Sequence, residues 1–193
     1  MEKKFTLNDT NPVNYEEFGK LIERLKDKVE NYFKEREEKV DIIVPLLRTG
    51  AITGGILSIK LKVLPMLPVQ FKYYYHPTEI KQILSLPEIL LEVPENPNIL
   101  MCEGNTSSGS IAKKAAKLLR EKYPNSRIYH ATLTKVYGGS ETLEGIEKVF
   151  YGVETDENFI ATDKEREEKG LRWGITIFPW ESPEEELSDI NAM

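Results

Sequence analysis

The chain has 193 residues, 40% of them hydrophobic and 30% charged, which fits one soluble domain with a sizeable core. Its formal net charge of −6 excludes the basic field that general nucleic-acid affinity requires, so any anionic ligand must be held by local positive groups. The single cysteine, Cys102, excludes an internal disulfide and a cysteine metal cluster, no apolar run reaches transmembrane length, and the opening MEKKFTLNDT carries no apolar signal region, so the expected location is the cytoplasm with no membrane partner.

Residues 5–14 read as a leader of turn residues. Asn14 is a fair helix N-cap, with Glu16 and Glu17 in the first turn where acids suit the dipole. Phe18, Leu21, Ile22, Leu25, Val29, Tyr32 and Phe33 then mark one buried stripe of a long amphipathic helix. Residues 40–47 (VDIIVPLL) are apolar nearly throughout, as in a parallel strand covered on both faces, and Pro45 suggests that its pairing is ending. Arg48-Thr49-Gly50 follows, then a glycine-rich helix over 51–61. An arginine at the end of a central strand stands where doubly wound sheets bind ligands.

Residues 63–75 read as a strand interrupted by Pro65 and Pro68, closed by Lys72 and a tyrosine run ending at His76, expected as a loop residue. The stretch 77–97 is proline-rich with an apolar middle at 83–91; it has room for a short helix and has the character of a flap or an oligomer contact. Residues 127–135 (RIYHATLTK) form a strand that ends in Lys135, on the expected ligand edge. Gly138-Gly139 is a turn, 148–153 another strand, 156–170 a solvated charged segment, 171–180 a last strand, and 182–193 an acidic tail expected to fray. Alternating strands and helices give an α/β class with a mainly parallel sheet flanked by helices, in one domain over 1–193.

The stretch the rest is organised around is 98–123. A short apolar run at 99–102 is strand-like, and Ile111, Ala115, Leu118 and Leu119 carry helical spacing. Between them Thr106, Ser107, Ser108, Gly109 and Ser110 supply four hydroxyls in five residues, just after Glu103. A strand, a small-residue turn and a helix start make an anion site, with backbone N–H groups and partial positive charge aimed inward. The plain alternative is an ordinary turn with Ser108 or Ser110 as N-cap. The turn is neither a Walker A sequence, lacking Gly-Lys-Ser/Thr, nor a Rossmann fingerprint. Its best fit is a phosphate monoester.

On these residues the chain resembles the type I phosphoribosyltransferases, most closely the 6-oxopurine branch. Four segments carry the likeness: VDIIVPLLRTG, ILMCEGNTSSGS, TLTK and ITIFPWE, in the family's order. The resemblance implies that Thr106, Ser107, Ser108, Gly109 and Ser110 hold the 5′-phosphate of phosphoribosyl diphosphate (PRPP), and that Glu103 accepts from the ribose hydroxyls and is a candidate metal contact. Arg48 and Thr49 would bind the diphosphate, and Lys135 would select a 6-oxo purine, since a cation cannot accept from a 6-amino group. Ile175 or nearby Trp173 would pack on the base, and residues 72–97 would be the flap. The implied catalytic set is Glu103, Ser107 and Arg48, the implied cofactor Mg²⁺, and the implied partners are PRPP with a purine base or nucleoside monophosphate, in a homodimer or homotetramer. Two positions depart from the family pattern. Gly104 stands where a second acid is usual, and Ser107 where an aspartate usually lies near the base. They define a second expectation, a catalytically impaired relative that binds or senses a nucleotide or PRPP.

Overall fold

The structure is a computed structural model describing residues 4–75, 77–139 and 142–191; His76 lies outside them. A 3₁₀ turn leads into β1 (Thr10–Pro12), α1 (Tyr15–Lys34), β2 (Ile42–Leu47), α2 (Gly50–Lys60), β3 (Val69–Tyr75) and β4 (Thr78–Leu84). Then come β5 (Asn98–Thr106), α3 (Ser110–Lys122), β6 (Arg127–Val136), β7 (Lys148–Asp156), α4 (Asp163–Lys169), β8 (Arg172–Trp173), β9 (Ile175–Ile177) and α5 (Pro183–Asn191). Asn14 caps α1 as expected: its side chain accepts from the Glu17 N–H, and Glu17 reaches back to the Asn14 N–H.

Seven strands form the main sheet in the order β4-β3-β2-β5-β6-β7-β8, parallel except where β4 runs antiparallel to β3. Side chains alternate across it as strand geometry demands. Ile43, Leu100, Cys102, Ala131 and Leu133 meet the stripe Phe18, Leu21, Leu25 and Val29 of α1. Ile42, Val44, Leu46, Ile99 and Met101 meet Ala112, Ala115, Ala116 and Leu119 of α3. Both faces are covered, which explains the near-continuous apolar runs. Pro45 marks a change of partner: β2 pairs β5 up to Pro45 and β3 from Leu46. Parallel strands put the turns after β2, β5, β6 and β7 on one edge, where such sheets bind ligands.

Several expectations change. β5 runs on through Glu103, Gly104, Asn105 and Thr106, so the turn proper is only residues 107–109. Segment 77–97 holds β4 and irregular chain rather than a helix. Within it Leu86, Ile89 and Val93 pack on the α3-side core, while Ile83, Leu90 and Leu91 face outward. Segment 171–180 is two short strands in different sheets, parted at Gly174, whose φ is +98°. β9 pairs in parallel with β1, which the reading of 5–14 as leader missed.

The tail does not fray over 183–191. It forms α5, because Leu187 buries itself against Ile175 and Ile177. Asn191 also exchanges two hydrogen bonds with the Phe5 backbone, at 2.7 and 2.9 Å. Leu187→Ala should therefore lower stability by about 2–3 kcal/mol in chemical denaturation. An unchanged midpoint would mean that α5 does not dock.

Candidate functional site

The serine turn is built by one glycine. Gly109, with φ +65°, is the N-cap of α3, displacing Ser108 and Ser110 from that role. A side chain there would strike Leu143, which lies over the turn. The first helical bond runs from the Lys113 N–H to the Gly109 carbonyl. The N–H groups of residues 110–112 thus precede the ladder; the N-cap glycine offers them no side-chain acceptor, and the Ser110 N–H makes a long 3.4 Å bond to Ser108 Oγ. Ser108 Oγ and Ser110 Oγ bond each other at 2.8 Å. Around the turn lies a cleft of about 100 Å³, lined by Tyr73, Glu103, Asn105, Thr106, Ser107, Ser108, Gly109, Ser110 and Ile111. Nucleotide-sized pockets run from roughly 300 Å³ upward, so this cleft has the scale of a phosphoryl end rather than of a whole nucleotide.

The second turn lies beside it. The Leu47–Arg48 peptide bond is cis. Arg48 is exposed, and Thr49 packs so closely on Gly104 that a side chain there would stand 3.1 Å from Thr49 Cβ and 3.4 Å from the Phe178 ring. The space that a second acid would need is therefore taken by Thr49 and Phe178. Arg48 acts electrostatically on Glu181 and Glu186, from the C-terminal segment. Burial pushes the Glu181 carboxyl up to about 7, against the Phe178 N–H that it accepts at 2.9 Å and the Arg48 charge.

Glu103 stands at the cleft floor, and burial pushes its carboxyl up to about 7, opposed by a hydrogen bond from Thr106. Behind it lies His130, fully buried on β6, with Nε2 3.4 Å from Glu103 Oε2 and neither ring nitrogen hydrogen-bonded. Burial drives His130 down to about 4, so the ring is neutral at pH 7.

The base-contact expectations fare differently. Lys135 is 2% exposed, with Nζ 2.8 Å from Glu154 Oε1 and 5.3 Å from the centre of the Tyr151 ring. Its charge is answered by its register neighbour on β7, and it does not line the cleft. Ile175 is 5% exposed, locked in the small core with Ile177 and Leu187, so it has no face to offer a purine. Trp173 remains exposed at 42% and meets Phe159 edge-on, which in turn stacks on Phe5.

Reading 156–170 as merely solvated concealed one buried acid and one half-buried acid. Asp156, fully buried, accepts from the Ile160 and Ala161 N–H groups and pairs with Arg166 at 3.2 Å. Glu157 accepts from Asn105, Thr155 and Thr176. Burial raises the Glu157 carboxyl, opposed by those three bonds. The available signal was position: both acids sit where β7 reaches the ligand edge.

Among the described residues no three His, Cys, Asp or Glu side chains converge on a metal position. Glu103 is a single buried carboxyl with glycine beside it. These residues do not fit a protein-held Mg²⁺.

No family model matches the sequence. No curated protein matches it either. Solved structures do. A purine phosphoribosyltransferase from Pyrococcus horikoshii superposes with a TM-score of 0.62 at 16% identity, covering 90% of this chain and 95% of that one. The Helicobacter pylori xanthine-guanine-hypoxanthine phosphoribosyltransferase gives 0.64 at 18%, covering 93% and 99%. This chain has the phosphoribosyltransferase fold. A Neisseria gonorrhoeae protein solved with bound ppGpp shares it, with a TM-score of 0.62 at 18% identity over 97% and 98% of the chains. Among the described residues no helix is long and apolar enough to cross a membrane.

His130 makes stability pH-dependent. Its proton affinity is lower folded than unfolded, so the unfolded chain takes up the proton first as pH falls, and the His130 contribution to stability is lost between about pH 6.5 and 4, against the gain from the raised carboxyls of Glu103 and Glu181. The His130 share of that loss is about 3 kcal/mol. Denaturation of wild type and His130→Gln across this window should show the variant losing less. Parallel curves would contradict the buried neutral imidazole.

Proposed function

We propose that the protein is a purine phosphoribosyltransferase that moves a 5-phosphoribosyl group from PRPP to a 6-oxopurine base, giving a nucleoside 5′-monophosphate and diphosphate. One observation carries the reading: the glycine-capped start of α3 and its serine turn form a phosphoryl-sized cleft lined by Glu103, beside the Arg48–Thr49 turn. A sugar diphosphate needs such a layout, with one anion site for each end and a carboxyl between them for the diol.

In this reading the N–H groups of residues 110–112 and the hydroxyls of Ser107, Ser108 and Ser110 hold the 5′-phosphate. Glu103 accepts from the ribose hydroxyls. The C1′–O bond breaks with positive charge growing on the sugar, and Arg48 stabilises the charge left on the departing diphosphate. The β3–β4 hairpin, which contributes Tyr73 to the cleft wall, and the chain after it are the flap that excludes water. Trp173 is the exposed aromatic available to the base. Lys135 meets a 6-oxo group only by leaving Glu154. The outward residues Ile83, Leu90 and Leu91 are the contact of a homodimer or homotetramer.

A second reading, a nucleotide or PRPP sensor without turnover, is favoured by three features. Lys135 is engaged by Glu154, Gly104 is walled in, and Ser107 is a poor proton acceptor. The ppGpp bound by the Neisseria gonorrhoeae protein of the same fold points the same way.

Incubation with PRPP, Mg²⁺ and guanine, xanthine or hypoxanthine in turn should release diphosphate. Tight binding of guanosine 5′-monophosphate with no release would sink the enzyme and keep the sensor. Ser107→Asp should raise turnover about tenfold or more if a positioned carboxylate is what limits the rate.

A further inference from the structure

Asn105 lies on β5 two residues beyond Glu103 and lines the same cleft. Its amide is held one way round. Nδ2 donates to both oxygens of Glu157, at 3.1 and 2.9 Å. Thr155 Oγ1 and Thr176 Oγ1 donate to Glu157 as well, at 2.9 and 2.7 Å. Donors converging from β5, β7 and β9 are what an accepting carboxylate collects, and an acceptor can face only the NH₂ side of an amide.

The other side of the amide is therefore committed away from Glu157. Asn105 Oδ1 is buried and has no hydrogen-bond partner. Thr134, its register neighbour on β6, is fully buried with its hydroxyl likewise unpartnered. Native interiors rarely leave buried polar atoms unpaired, because each forfeits the bond it had with water. Asn105 Oδ1, on a residue that lines the cleft beside the serine turn, fits a ligand that completes it.

We infer that Asn105, set by Glu157, is a specificity residue of the cleft: its Oδ1 accepts a hydrogen bond from an N–H or O–H donor of the bound nucleotide. With Glu103 on the same strand, the wall is rich in acceptors. It favours ligands that present donors, such as a ribose diol or the N1–H of a 6-oxopurine, over the bare N1 of a 6-aminopurine. The inference rests on the serine turn being a ribose 5-phosphate cradle, and two sources of the donor, sugar hydroxyl and base N–H, share its chemistry.

Calorimetry with ribose 5-phosphate and with guanosine 5′-monophosphate separates these. Asn105→Leu keeps the shape and removes the acceptor; Asn105→Ala serves if the leucine variant does not fold. About tenfold weaker binding of both ligands assigns the donor to the sugar, and the same loss for the nucleotide alone assigns it to the base. Glu157→Gln lets the amide turn, since glutamine can face it with either end, and should also weaken the affected ligand severalfold while wild-type melting is largely kept. If the Asn105 variants bind both ligands within about twofold of wild type and only melt earlier, Oδ1 is an internal brace, closed by Thr134, and the inference is overturned. If wild type binds no ribose 5-phosphate, the cradle itself falls, and the inference with it.

Discussion

One backbone contact sets the spacing of the site. Gly50, the first residue of α2, lies so close to β5 that a methyl group on it would stand 2.2 Å from the Cys102 carbonyl oxygen. No other residue type fits there. The contact clamps the start of α2 to the strand that carries Glu103, and so holds the Arg48–Thr49 turn next to the serine turn. Gly104 repeats the theme one step later, admitting Thr49 and Phe178 where a larger residue would push them out. The two turns keep their distance because backbone meets backbone at Gly50, while the Thr49 and Phe178 side chains fill the space over Gly104.

Negative charge at this edge is reduced by burial in an otherwise acidic protein. Arg48 faces more carboxyl groups than it can neutralise, among them Glu181 and Glu186. Burial compensates by pushing Glu103 and Glu181 to about 7, so that much of the nominal negative charge is absent near neutrality. Burial raises the Glu157 carboxyl too, and both Asp156 and Glu157 collect hydrogen bonds. The same acids left exposed and ionised would repel a phosphoryl group.

Much of the fold was legible in local pattern. The apolar runs at 40–47 and 99–102 and the stripe from Phe18 to Phe33 coincide with β2, which starts two residues later at Ile42, and with β5 and α1, because period and burial agree there. The serine turn and the Arg48 turn were legible because small residues and a strand end leave few alternatives. What escaped depends on tertiary partners. β1 and β9 are three residues each, too short to carry a period, and exist only by pairing with each other. Lys135 was placed on the right strand end, but its engagement is decided by Glu154 on a neighbouring strand. Glu157 and Asn105 looked like loop and turn residues because their meaning is a contact 52 positions apart.

The small sheet has an implication for synthesis. β1 finds its partner only in β9, and Phe5 meets Asn191, 186 positions later. A chain emerging from the ribosome can lay down β2, β5 and β6 with their helices long before that partner exists. Thr176, which helps fix Glu157, arrives with β9 and therefore late. The nascent protein thus passes through a stage in which the serine turn is formed while Glu157 still lacks its bond from Thr176.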